Sequence, residues 1–145
     1  MFKKIIACAF VVTSLLPGIA SACQFSYYVY SNKPVRERID REIPQKVTDE
    51  FCKKYSKKYE IVIIADPYTS TTQSLGHAIV GFRKKGSKDV PANNRTAYQS
   101  QDGNYAISVS YDFAANAAMN SLTDAMSDIS GGFKGSWNLH STVEH

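Results

Sequence analysis

Long apolar runs are missing from this chain. None reaches the roughly 18 residues that a membrane-spanning helix needs. A strong excess of one charge is missing too. The 17 basic residues include Lys3 and Lys4, so beyond residue 22 fifteen of them stand against 13 acidic ones. That margin is too small for a dedicated nucleic-acid surface, and no nucleic-acid partner is expected. The short signatures of known chemistry are absent as well: no H-E-x-x-H, no G-x-S-x-G, no phosphate-cradling P-loop and no C-x-x-C. No repeat of 20 to 50 residues is present. Nothing in the sequence asks for a cofactor or a metal. With 43% hydrophobic and 21% charged residues, disorder, collagen and coiled coil are excluded as whole-chain descriptions.

What is present begins with an address. Lys3 and Lys4 are followed by an apolar run from Ile5 to Leu16, then Pro17-Gly18 and Ala20-Ser21-Ala22. These are the three parts of a secretory signal peptide in order, ending in an A-x-A cleavage site. Residues 1–22 are therefore read as the signal and 23–145 as one exported domain. The short basic start and the sequence before Cys23 suit a bacterial cell envelope.

Cysteine is scarce, and that sharpens the reading. Cys8 leaves with the signal, so Cys23 and Cys52 remain. In an oxidising compartment two cysteines pair. The bridge would close a loop of about 30 residues and contribute about 3.5 kcal/mol in the chain-entropy account. The alternative is that Ala20-Ser21-Ala22-Cys23 acts as a lipobox and Cys23 carries diacylglycerol, although Leu is usual where Ala20 stands. The first reading gives a soluble periplasmic or secreted protein. The second gives a membrane-anchored lipoprotein, and only then is membrane contact expected. One sulfur cannot do both.

Hydropathy patterning predicts an α+β, two-layer sandwich in the order β-α-β-β-β-β-α-β. It has a mainly antiparallel sheet of five or six strands and two helices on one face. Phe25 to Tyr30 reads as the first strand. Pro44 is taken as the start of the first helix, with Val47, Phe51, Tyr55 and Tyr59 on its apolar face. Glu60 to Ala65 is a buried strand stopped by Asp66-Pro67, and Leu75 to Lys85 is a third. Asp102-Gly103 lies between two alternating runs, 96–101 and 104–111, and predicts a hairpin. Asp112 is then the expected cap of a second helix, with Ala115, Ala118, Met119, Leu122, Met126 and Ile129 as its apolar stripe. Gly131 and Gly132 stop it, and Ser136 to Val143 alternates as a last strand.

Candidate functional residues fall into three groups. Lys53, Lys54, Lys57 and Lys58 give the first helix a basic face suited to an acidic protein or an anionic envelope component. Asn116, Asn120, Asp124 and Asp128 share a face of the second helix and suit a basic partner. His77, with Asp66, Ser74 and His140, is the weak catalytic set: Asp66–His77–Ser74 has the residue types of a hydrolytic triad without its usual spacing. The resulting expectation is a small exported envelope protein, non-enzymatic, that binds another macromolecule. The alternative is a secreted hydrolase using His77 as acid and base.

Overall fold

The computed structural model describes residues 23–91 and 93–131. The predicted last strand, with Trp137 and His140, lies outside them. Four strands and three helices follow one another as β1 (Tyr27–Tyr30), α1 (Lys33–Lys46), α2 (Asp49–Tyr55), β2 (Tyr59–Thr69), β3 (Gln73–Lys84), β4 (Asn94–Asp102) and α3 (Ile107–Ser130). The strands form one mixed sheet in the order β1-β2-β3-β4. β1 runs parallel to β2, and β2/β3 and β3/β4 are antiparallel. The class is therefore α+β as expected, with four strands among the described residues instead of five or six and three helices instead of two.

The largest departure follows residue 103. The expected strand 104–111 is the entry and first turn of α3, and Asp112 lies inside that helix instead of capping it. The helix begins at Ala106, which offers no side-chain cap, and its first turn carries no acid. With every usual start signal missing, the alternation of Tyr105, Ile107, Val109 and Tyr111 mimics a strand. The stripe that decides the matter is made of small residues. Ser110, Ala114, Ala117, Ala118, Ser121 and Ala125 are buried at helical spacing beside Phe113, Leu122 and Ile129. Gly103, at φ +128°, ends β4, and its amide donates to the Thr72 carbonyl. The Asp-Gly pair thus makes a strand-to-helix turn where a hairpin was expected.

The first helix also differs. α1 starts at Lys33, capped by the Asn32 side chain, which accepts from the Val35 amide at 3.1 Å. It buries Val35, Ile39 and Ile43 and carries Pro44 inside its last turn. There the proline's missing donor costs a single hydrogen bond, so the helix runs on to Lys46. The break comes at Val47, which is extended, and Thr48 caps α2 by accepting from the Phe51 amide. β2 likewise passes through Asp66-Pro67 to Thr69.

All three helices cover one face of the sheet. Val35, Ile39 and Ile43 of α1, Phe51 and Cys52 of α2 and the α3 stripe form one buried cluster with Ile61, Ile63, Ala65, Ala78 and Val80. Cys23 and Cys52 are joined by a disulfide across 29 positions, with Cα atoms 5.8 Å apart. Beside it Phe25, Phe51 and Phe82 pack with centroids 5.5–6.1 Å apart. α2 has only seven residues, too few to persist alone, so the disulfide and these rings hold it in place.

α3 sits unusually close to β3. A methyl group on Gly76 would lie 2.0 Å from the Ala114 amide nitrogen. Gly76→Ala is expected to lower unfolding free energy by about 3 kcal/mol in urea titration. A change under about 1 kcal/mol would mean that the helix shifts freely.

Candidate functional site

Among the described residues, one sheet face carries no helix. Strand register lays it out in rows: Tyr28 beside Val62 and Gly81, Tyr30 beside Ile64, Ile79 and Thr96, Asp66 beside His77 and Tyr98, and Tyr68 beside Leu75. Tyr28, Tyr30, Tyr68 and Tyr98 are exposed there. The β3–β4 connection folds over one end of this face. Pro91 is buried against Gly81, where a Cβ would meet the proline ring at 2.6 Å. Val62, Ile64, Ile79, Gly81, Val90, Pro91 and Asn94 line a small apolar depression. Glu60, only 3% exposed, takes a hydrogen bond from the Arg83 guanidinium at 2.5 Å, and Arg83 in turn stacks 4.8 Å over Tyr28.

The weak catalytic set is brought together only in part. Asp66 and His77 are direct cross-strand partners on the open face. Ser74 is not with them. Three positions from His77 on the same strand, it faces the helices, fully buried, and its hydroxyl has no partner among the described residues. The expected Asp66–His77–Ser74 constellation is therefore not assembled, because strand alternation sends two members to one face and the third to the other. His140 lies outside the described residues. Among those residues, no three His, Cys, Asp or Glu side chains gather as a metal site.

The acidic face of α3 is partly used internally. Asp128 takes two hydrogen bonds from the Arg95 guanidinium, one of them 2.7 Å long. Arg95 also feels the charge of Asp124. This pairing answers an electrostatic problem in the helix, since carboxylates near a C-terminus oppose the dipole and the last turn has no basic residue. Asn116 donates to Gln99 at 3.4 Å, and Asn120 and Asp124 remain exposed. Asp112, the expected cap, instead accepts from Arg38 and ties α3 to α1.

The lysine face is larger than α2 alone provides. Lys53 and Lys54 end α2, and Lys57 and Lys58 follow in the turn to β2. The Lys85 amide donates to the Lys58 carbonyl at 2.9 Å, which seats the end of β3 beside that turn. Lys84, Lys85 and Lys88 thereby join Lys53, Lys54, Lys57 and Lys58 at one end of the two layers. All seven are exposed. None takes part in an ion pair among the described residues, and Lys54 alone lies over a ring, that of Tyr55, at 5.1 Å. The last three residues of this pole are far from the first four in sequence, so spacing could not reveal them. The β-hairpin pairing Tyr59 with Lys84 was the signal that joins them.

No family model matches the chain, and no curated protein matches it in sequence.

The hydrogen bonds from Arg95 hold the Asp128 carboxyl below its ordinary value of 3.8, against the opposing effect of partial burial. A depressed carboxylate adds stability above the unfolded pKa and loses it as pH falls through the folded one. Asp128→Asn should therefore lower the melting temperature near neutral pH, and the gap to wild type should close below about pH 4. A gap that stays constant as pH falls well below the ordinary carboxylate range would assign the loss to packing instead of charge.

Proposed function

We propose that this is an exported, non-enzymatic binding protein whose basic pole docks on an anionic macromolecular partner of the cell envelope. The observation that carries the reading is the pole itself: seven exposed lysines from two distant segments, gathered by the fold and without acidic partners among the described residues. Leaving like charges together is unfavourable for the isolated domain. Their assembly is therefore best understood through a partner that supplies the opposite charge.

Export is supported by the Cys23–Cys52 bond, which belongs to an oxidising compartment. The same bond occupies the sulfur that a lipid anchor would need. No helix among the described residues is long and apolar enough to cross a membrane.

The pole predicts a measurable preference. Labelled polyglutamate should bind the mature protein in low salt and be released as salt rises. The double variant Lys57→Glu/Lys85→Glu should weaken that binding by about tenfold or more while leaving the fold intact, since both residues are exposed. Unchanged binding in fluorescence anisotropy would rule the pole out.

A second reading keeps the secreted hydrolase, on the strength of the Asp66–His77 pairing across β2 and β3. Here His77 is the acid and base, oriented by Asp66, and the nucleophile is water in place of Ser74. His77→Ala should then abolish hydrolysis of any ester, glycoside or peptide substrate that the wild type cleaves. Residual activity equal to wild type would remove His77 from the chemistry.

A further inference from the structure

We infer that the surface met by the basic pole is an anionic lipid bilayer, contacted without any lipid anchor, with Val90 as the residue that enters the apolar layer. This rests on the reading that the pole is a binding surface, and it adds the class of partner. Val90 is 73% exposed, the most exposed large aliphatic side chain among the described residues, followed by Ile107 at 58%. It stands two residues from Lys88 and next to Pro91, whose burial on Gly81 fixes the connection to the sheet. Lys84 and Lys85 enter the same connection. Its one acid, Asp89, is engaged by the Ser87 hydroxyl at 2.7 Å.

An acidic peptide would answer the lysines and leave Val90 with nothing to meet. A bilayer answers both, because its charge lies at the headgroups and its apolar layer lies just beneath. The neighbouring open face adds Tyr28 and Tyr30, both exposed. Their rings are apolar bodies with polar tips, the form that settles at the level of headgroups. Val62, Ile64 and Ile79 continue the apolar surface behind Val90. Each lysine near an anionic surface strengthens partition by about fivefold, so several acting together suffice without an acyl chain.

The test uses the mature, disulfide-bonded protein, vesicles and a soluble polyanion. Sedimentation should carry the protein down with vesicles of phosphatidylcholine and phosphatidylglycerol in equal parts, and leave it in solution with pure phosphatidylcholine. Lys85→Ala should reduce partition about fivefold. Val90→Ser should reduce vesicle partition about tenfold and leave polyglutamate binding unchanged. Because Val90 is exposed, an unaltered melting temperature will show that the variant is folded. Binding to polyglutamate without binding to anionic vesicles would overturn the lipid assignment and leave the basic pole as a site for an acidic protein or polymer. Equal vesicle binding by Val90→Ser and wild type would overturn the insertion. Failure to bind either probe would overturn both this inference and the reading beneath it.

Discussion

The close seat of α3 on Gly76 is the constraint from which the rest of the architecture follows. Ala114 reaches the strand backbone only because position 76 has no side chain. The same approach requires the small residues Ser110, Ala117, Ala118 and Ser121 on the buried side of the helix. Larger side chains there would hold the layers at an ordinary distance and give more apolar area per residue. Small ones trade area for continuous contact along 24 residues. The helix has no side-chain cap, no acid in its first turn and no base in its last. Its stability is therefore tertiary, and it cannot be separated from the sheet it lies on. Because all three helices spend their apolar faces on one side, the other side of the sheet is left to β-strand residues and one connection.

Three of the arginines work internally, and the seven lysines of the pole face outward. Arg38, Arg83 and Arg95 each meet a carboxylate, and the three pairs join α1 to α3, β2 to β3 and β4 to α3. A planar guanidinium suits that task, because its fork holds a carboxylate in a fixed orientation. The lysines of the pole carry compact, mobile charges and have no such partners among the described residues. Their position depends on the chain entry at Cys23, since the disulfide and the Phe25–Phe51–Phe82 rings locate α2 and the turn after it. The charged surface is thus held by the least helical-looking part of the helical layer. Reduction of that bond would loosen four of the lysines and leave Lys84, at the end of β3, and Lys85 and Lys88, after it, in place.

Periodicity made much of this fold legible. Tyr27 to Tyr30, the run after Glu60 and the alternation around Ala78, Val80 and Phe82 all fall on strands, because a half-buried strand must alternate and a central one must be apolar. The bond between Cys23 and Cys52 was one of the two expectations for Cys23, and it is the one the structure forms. Alternation failed at 104–111, where a strand-like pattern coincides with a helix whose buried side is Ser and Ala, residues that carry little hydropathy signal. Pro44 misled for a related reason: proline marks a helix start well, yet the Asn32 cap and the spacing of Val35, Ile39 and Ile43 outweigh it. At the site, the Lys53–Lys58 cluster was visible locally, whereas Lys84, Lys85 and Lys88 enter only through strand pairing. The Asp66–His77–Ser74 set shows the converse error. Ser74 belongs to β3, and its odd spacing from His77 places it on the other face, a parity that applies only once the strand is known to start at Gln73.

The two proposed functions ask for different shapes. A hydrolytic histidine works best where water is excluded and charges are held by fixed dipoles, which calls for a concave site. Asp66 and His77 lie instead in the middle of an open sheet, between Ile64 and Ile79 in one row and Tyr68 and Leu75 in the other. A depression on this face is apolar and lies toward the far end, under Val90 and Pro91, beside the lysines. Catalysis would need a second surface to close over His77. Binding needs only what the fold already presents: an apolar edge, a fixed connection and unpaired charge at the same end. Under the proposed binding role, Asp66 and His77 would be polar members of that surface, side by side in the register of β2 and β3.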